Sequence, residues 1–349
     1  MLHVREQGQG YSFTVGTRKE YTPRANGKEI TPVTVCVAAI CGNQTIFGAA
    51  DRMLTAGDVQ FEPPDIKIAT VTNSIALMTA EDWALHTEIL QSVRADINAR
   101  LAIEPEEWIG VKYVAELYSE FYNQVRQKRA ERAILAPFGL TTDTFLTRQT
   151  EMSPDFVRQL GTELINFNPG NIEAIITGID NSGPHIWVVK NDETSCYDKA
   201  GFAAIGAGEW HAKSAFMFAR YTRFRALPPA LLLTYAAKKR AEVAPGVGGH
   251  TDMFTIGPQL GSFTWIRDEI LQRLEEIYQW IRQEEETILL QANAEVDQYV
   301  QEIARAATSQ EQAALPEDSG GHTPADQEQL RDDLEAGESE TGRQEPPPS

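Results

Sequence analysis

Residues 34–57 read TVCVAAICGNQTIFGAADRMLTAG, two short apolar runs joined by a turn. The runs at 35–40 and 45–50 are rich in strand-forming residues, and the 41–44 connection contains a glycine. Two such runs joined by a short glycine-containing connection predict a β-hairpin. Because a hairpin reverses the chain, Asp51 at its end is expected to lie near Thr34 at its start.

A second pair of strands is expected to bring Lys67 to the same place. Residues 66–70 and 75–79 have the composition of an antiparallel pair with a turn at 71–74. Asp51 follows Thr34 by seventeen positions, and Lys67 follows Asp51 by sixteen. A threonine hydroxyl becomes nucleophilic when a base takes its proton, and the α-amine of an N-terminal threonine, with a pKa of about 8, is such a base. A nearby ammonium favours the ionised hydroxyl, and a carboxylate orients that ammonium. The three residues therefore predict an N-terminal threonine nucleophile.

The sequence around these residues resembles the proteasome β-subunit family, which includes the bacterial HslV-type and Anbu-type rings. The segment GAADRMLTAG at 48–57 matches the pattern ADxxxTxG that follows the first hairpin in that family. Lys67 and the segment LMTAED at 77–82 fall at the family's spacing too. The resemblance is strongest over residues 34–84 and looser out to residue 262. It implies an α+β fold, the four-layer αββα sandwich of the N-terminal-nucleophile hydrolases.

The resemblance also implies a role for each matching residue. Thr34 would be the nucleophile, supported by Asp51 and Lys67, and the backbone amides near Ala80 and Glu81 would bind the oxyanion. Thr55 and Gly57 would line a substrate cleft in which an extended peptide pairs with the main chain. The implied activity is that of a threonine-type amide hydrolase, a peptidase in a self-compartmentalising homo-oligomeric ring. Its substrates would be peptides or proteins, and it would need no cofactor and no metal. The sequence holds no ATPase motif, so energy-dependent delivery would require a separate ATPase chain.

Some residues depart from the family pattern. Glu81 stands where the family usually carries a glycine, and Gly206-Ala207-Gly208 lacks the hydroxyl of the family's GSG segment. Residues 244–252 hold no obvious counterpart of the family's late supporting aspartate and serine, with Asp252 or Thr251 as the nearest substitutes. These departures favour an alternative, a catalytically inactive scaffold or assembly subunit of the same fold.

Thirty-three residues precede Thr34, and while Val33 is attached the threonine has no free amine. Residues 1–33 are either a propeptide, or a stretch upstream of a true start at codon 33 read as GUG, or a retained leader on an inactive relative. This segment has five basic residues, three acidic residues and no periodic pattern, which favours a leader absent from the mature chain.

The rest of the chain alternates helices and strands. Apolar residues recur at helical spacing over 82–100 and 108–136, strand patterns return over 173–205, and helices follow at 209–224 and 229–242. From 266 to 306 the apolar positions recur at threes and fours with one gap of seven, which predicts one long amphipathic helix. This helix packs on its own subunit, forms a coiled coil between subunits or docks a partner. We divide the chain into a leader (1–33), a hydrolase domain (34–262), the long helix (263–307) and a disordered acidic tail (308–349).

Charge and composition exclude several classes of function. The net charge is −19, and residues 308–349 hold eleven acids and two bases, which disfavours nucleic acid as a partner. No apolar run approaches the roughly 18 residues of a membrane span. Three cysteines and six histidines without metal-ligand spacing fit a protein of the reducing cytoplasm that binds no metal. The basic cluster at 238–240 is expected to be a solvated helix face.

Overall fold

Two five-stranded antiparallel sheets form the centre of an α+β fold. The computed structural model describes residues 34–56, 59–62 and 67–313, and these contain a further two-stranded sheet and seven α-helices. The strands are β1 (Cys36–Cys41), β2 (Thr45–Ala50), β3 (Leu54–Ala56), β4 (Val59–Phe61), β5 (Ile68–Thr72), β6 (Ile75–Glu81), β7 (Ile172–Asp180), β8 (Gly183–Lys190), β9 (Glu193–Cys196), β10 (Phe202–Ile205), β11 (Asp252–Ile256) and β12 (Thr264–Trp265). The α-helices are α1 (Trp83–Ile103), α2 (Val111–Ala130), α3 (Thr142–Arg148), α4 (Pro154–Asn166), α5 (Glu209–Phe218), α6 (Leu227–Ala241) and α7 (Asp268–Ala313).

The strand order places the first hairpin inside the first sheet. That sheet has the order β10-β1-β2-β11-β12, and the second has the order β5-β6-β7-β8-β9. In the β1–β2 hairpin Cys36 lies opposite Ala50 and Cys41 lies opposite Thr45, so the predicted hairpin is confirmed. Gly42 and Asn43 in its turn have φ of +57° and +56°, a region that glycine and asparagine tolerate best. The predicted β5–β6 pair is confirmed as well.

The buried side chains fall into layers. Successive side chains of a strand point to opposite faces, and all six residues of β1 are buried because both faces of its sheet are covered. One core cluster joins the two sheets, with members that include Ala38, Ile40, Met78, Ile175 and Phe254. A second joins the β5–β9 sheet to α1 and α2, with Leu77, Ile176, Ile89 and Tyr118 among its members. A third joins the β1 sheet to α5 and α6, with Val37, Ala39, Phe216 and Ala237 among its members.

The predicted helix at 108–136 is made of several pieces. After α2 the chain forms a π-helical turn, Glu131–Leu135, and a 3₁₀ turn, Ala136–Phe138. The segment from there through α4 has a small core of its own around Leu135, Phe145 and Leu160.

Helix α7 is the long C-terminal helix that the sequence predicts, and it continues to Ala313, past the predicted start of the tail. The chain divides between Trp280 and Ile281 into two compact units. In the first unit, Leu274 of α7 packs with Tyr235 and Met253. In the second unit, seven large apolar side chains are 54–66% exposed, namely Ile288, Leu289, Leu290, Val296, Tyr299, Val300 and Ile303. The coiled coil and the docking arm stay predictions.

Among the described residues, no helix combines the length and the apolar character that crossing a membrane requires. The predicted leader at 1–33, the predicted tail from 314 onward and Gly57 lie outside the described residues.

The turn between β7 and β8 is held by His185. Its Nδ1 lies 2.6 Å from Oδ2 of Asp198, and its Nε2 lies 2.7 Å from Oγ of Ser182 and 3.2 Å from Oδ1 of Asp180. The hydrogen bond to Asp198 is the main cause that raises the pKa of His185 above its ordinary value. Relative to the unfolded chain, folding therefore favours the imidazolium form of His185.

His185→Gln is expected to lower the free energy of unfolding by about 1 kcal/mol at pH 5.5 and by less at pH 8.5. A raised histidine pKa gives stability that is complete below the ordinary value near 6.5 and is lost as the pH rises through the folded value. Urea unfolding at the two pH values measures this, with exposed His211→Gln as the control. Equal losses in the free energy of unfolding at both pH values would contradict a raised pKa of His185 in the folded protein.

Candidate active site

Thr34 lies two residues before the start of β1, and it is only 2% exposed. Its carbonyl accepts a hydrogen bond from the amide of Gly208 at 3.3 Å. Gly206 has φ of +85°, and a Cβ added there would lie 2.9 Å from the carbonyl carbon of Thr34. The Gly-x-Gly turn between β10 and α5 therefore serves close backbone packing on Thr34, and the glycines are needed for that approach.

Lys67 joins the nucleophile candidate to the carboxylate. Its side chain is 6% exposed, and its Nζ hydrogen-bonds Oγ1 of Thr34 and lies 3.0 Å from Oδ1 of Asp51. An ammonium has donors only, so the threonine oxygen accepts this bond and its own proton remains available to a base. The positive charge of Lys67, in hydrogen-bond contact with Oγ1 of Thr34, would stabilise the alkoxide that forms when the hydroxyl loses its proton.

Asp51 is completely buried and accepts four hydrogen bonds. Its Oδ1 accepts from the amide of Val35 and from Lys67, each at 3.0 Å. Its Oδ2 accepts from the amides of Met53 at 3.0 Å and Gly248 at 2.9 Å. These four hydrogen bonds use both carboxylate oxygens and fix the orientation of the side chain. Because Val35 is the neighbour of Thr34, Asp51 fixes both the lysine and the backbone beside the hydroxyl.

The structure thus brings Thr34, Asp51 and Lys67 together, which is the juxtaposition that their spacing predicts. Their catalytic roles remain predictions. Thr55 lies in β3, where its backbone pairs with Gln60 of β4, and its place in a substrate cleft also remains a prediction.

Ala80 and Glu81, the predicted oxyanion residues, end strand β6. Two hydrogen bonds tie this strand end to the site: the amide of Thr79 donates to the carbonyl of Lys67 at 3.3 Å, and Sγ of Cys36 donates to the carbonyl of Thr79 at 3.4 Å. Glu81 has φ of +83°, a left-handed conformation that costs a residue with a side chain about 1 kcal/mol or more. A glycine at this position would adopt the same conformation without strain.

The side chain of Glu81 is half-buried in an acidic neighbourhood. Burial, and then the charge of Glu173, raise the pKa of Glu81 to about 7, while Lys190 acts in the opposite direction. Glu173 itself is tied down, because its Oε1 lies 2.6 Å from Nζ of Lys190 and its Oε2 accepts from the amide of Gly206 at 2.8 Å. Glu81 therefore changes its charge near neutral pH, close to the turn that packs on Thr34.

Two other residues, Cys36 and Asp252, have side chains whose environment is explained without a catalytic role. Burial raises the pKa of the Cys36 thiol, which keeps it protonated and a poor nucleophile. Asp252 forms a bidentate pair with Arg52, with N–O distances of 2.7 and 2.5 Å.

The prediction that the basic cluster at 238–240 is a solvated helix face is wrong for Lys238, which is fully buried. Its Nζ donates to Oε1 of Glu242 at 2.7 Å and to the carbonyls of Gly248 at 2.8 Å and Gly249 at 3.2 Å. The burial of Lys238 could have been predicted from helical spacing. Lys238 stands four residues after Thr234, on the face of α6 that is buried.

No protein-family model matches this chain, and the comparison with curated proteins finds no match either.

Proposed function

We propose that this chain is a threonine-type amide hydrolase, a peptidase with Thr34 as its N-terminal nucleophile. The observation that carries the proposal is the position of the Lys67 ammonium, bonded to the Thr34 hydroxyl and lying 3.0 Å from the Asp51 carboxylate. The three core clusters give the order helices, sheet, sheet, helices, which is compatible with the αββα sandwich of the N-terminal-nucleophile hydrolases.

The proposed reaction uses groups of this chain alone. The free amine of Thr34 takes the hydroxyl proton while Oγ1 attacks the carbonyl carbon of the scissile amide. The negative oxygen that forms is bound by backbone N–H groups near Ala80 and Glu81. The protonated amine then gives its proton to the leaving nitrogen, and an ester to Thr34 remains. Water, with the amine again as base, hydrolyses this ester and restores the enzyme.

The substrate and assembly proposals follow from the family resemblance. They comprise an extended peptide or protein substrate in a cleft lined by Thr55 and Gly57, a homo-oligomeric ring, and delivery by a separate ATPase where proteins must be unfolded. The three cysteines are free thiols, which supports a reducing compartment, and we place the protein in the cytoplasm.

The test is the intact mass of protein purified from its native host. We expect a chain that begins at Thr34, because only a free α-amine supplies the base. A chain that still carries residues 1–33 after assembly would contradict the mechanism. Mass and peptide hydrolysis are measured on the same preparation, so that a free threonine without activity is recognised.

Glu81 favours a second candidate, an inactive scaffold or assembly subunit of the same fold. Its strained backbone and its ionisable carboxyl stand at the turn where an oxyanion would bind. A peptide β-lactone that acylates N-terminal threonine separates the two candidates. Acylation of Thr34 supports the hydrolase, whereas a free Thr34 that the lactone leaves unmodified supports the scaffold.

A further inference from the structure

Lys238 is a buried ammonium outside the Thr34–Lys67–Asp51 group. It is 0% exposed, and burial lowers its pKa although Glu242 counteracts this. Burying an ammonium is unfavourable unless partners compensate for the lost water. Besides Glu242, the partners are two consecutive backbone carbonyls, those of Gly248 and Gly249.

The turn that receives these bonds also contacts Asp51. The amide of Gly248 donates to Oδ2 of Asp51 at 2.9 Å, while the carbonyl of the same residue accepts from Lys238 at 2.8 Å. Gly248 packs tightly as well, since an added Cβ would lie 3.0 Å from Cβ of Met53 and 3.2 Å from its nitrogen. Met53 supplies the other amide on Oδ2. Gly248 is thus fixed on one side by Asp51 and on the other by Lys238.

We infer that Lys238 is a positioning residue of the site: it holds the turn at 248–249 so that the Gly248 amide stays on Asp51. This keeps the carboxylate in the orientation that directs Lys67 to Thr34. The expected effect on catalysis rests on the proposed function. The contact between the turn at 248–249 and the Asp51 carboxylate can be tested without any enzymatic activity.

The hydrogen bonds to the turn are what distinguishes Lys238 from a packing residue. When Lys238 is replaced, the Glu242 carboxylate keeps Lys239 as a partner at 2.8 Å, so the substitution leaves no unpaired carboxylate behind. An apolar residue in α6 cannot donate to two carbonyls, however, so the turn would lose its tie while the helix stays packed.

The test compares Lys238→Met with Lys239→Met. Methionine has a similar length and no donor. Lys239 pairs with the same Glu242 at 2.8 Å and lies 3.5 Å from Glu275, so its replacement perturbs the shared carboxylate and serves as the control. The readouts are amide hydrogen exchange at Gly248 in the full chain, and kcat and KM for peptide hydrolysis.

In Lys238→Met we expect exchange at Gly248 to be at least about tenfold faster. We expect kcat to fall between about 10-fold and 100-fold with KM unchanged, because a misplaced catalytic group affects the chemical step. In Lys239→Met both quantities should match the wild type. A role in stability alone would lower the unfolding temperature and leave kcat intact at temperatures well below unfolding.

Unchanged exchange at Gly248 in Lys238→Met would overturn the inference, and so would unchanged kcat in an active enzyme. If the wild type hydrolyses nothing, the proposed function fails, but the exchange measurement still decides whether Lys238 holds the turn. If Lys238→Met does not fold, Lys238→Leu compared with Lys239→Leu decides the question by the same exchange measurement, because leucine also has no donor.

Discussion

Lys67→Met is expected to lower kcat for peptide hydrolysis by at least about 10³-fold. The ammonium is bonded to both Thr34 and Asp51, and it stabilises the alkoxide as the proton leaves. The fold should survive, because Asp51 keeps three amide donors, those of Val35, Met53 and Gly248. The loss should therefore appear in the rate and not in the amount of folded protein.

The measurement uses a chain that starts Met-Thr34, so that removal of methionine exposes the threonine whatever the state of the site. Intact mass verifies the free N-terminus before steady-state kinetics with a fluorogenic peptide. Lys199→Met, at an exposed position, is the control and should keep the wild-type rate. A Lys67→Met enzyme that retains more than about a tenth of the wild-type kcat would refute the role given to the lysine.

Glu81→Gly is expected to raise kcat/KM about tenfold at pH 8.5 and to change it little at pH 6. With a pKa of about 7, Glu81 is mostly neutral at the lower pH and mostly ionised at the higher. An ionised carboxylate beside a forming oxyanion repels it, so its removal helps only where it is charged. Taking the ratio of variant to wild type at each pH cancels the other ionisations of the site.

The same substitution should stabilise the fold by about 1 kcal/mol through relief of the left-handed backbone. The gain should be larger at pH 8.5, and the sign follows from linkage. The folded pKa of about 7 lies above the ordinary value of 4.5, so the wild type loses stability as the pH rises through this interval. Glycine has no such loss.

Two variants separate charge from backbone. Glu81→Gln removes the charge and keeps the strain, so it should reproduce the rate gain without the backbone gain. Arg220→Gly, at an exposed residue with φ of +48°, should gain stability and leave the rate unchanged. A Glu81→Gly rate ratio that is the same at pH 6 and pH 8.5 would contradict the electrostatic account. An inactive wild type made active by Glu81→Gly would support the scaffold candidate for the natural chain.

Local features of the fold were predictable because their signals are local. The β1–β2 hairpin follows from two apolar runs and a glycine turn, and it carries Asp51 back to Thr34. The unbroken burial of β1 is visible in the sequence as an apolar run without alternation. To predict that Lys67 also lies near Thr34, only one further pair of strands, β5 and β6, had to be recognised.

The support around these residues was less predictable because its partners are distant in sequence. The charge of Lys238 predicts an exposed side chain, whereas the carbonyls that accept its hydrogen bonds belong to a loop beyond the end of α6. Arg52 and Asp252 are 200 positions apart, so their pairing depends on the β2–β11 contact. The sign of φ at Glu81 is a tertiary property that the residue type does not reveal.

The strained turn at Glu81 also has a genetic side. A glutamate codon becomes a glycine codon by a single base change, so the relaxed and uncharged turn lies one mutational step from the natural gene. A library of random single-base variants therefore already contains Glu81→Gly. A screen of that library for faster hydrolysis at alkaline pH would sample the change without any design, and recovery of this codon would identify the turn as a tunable position of the site.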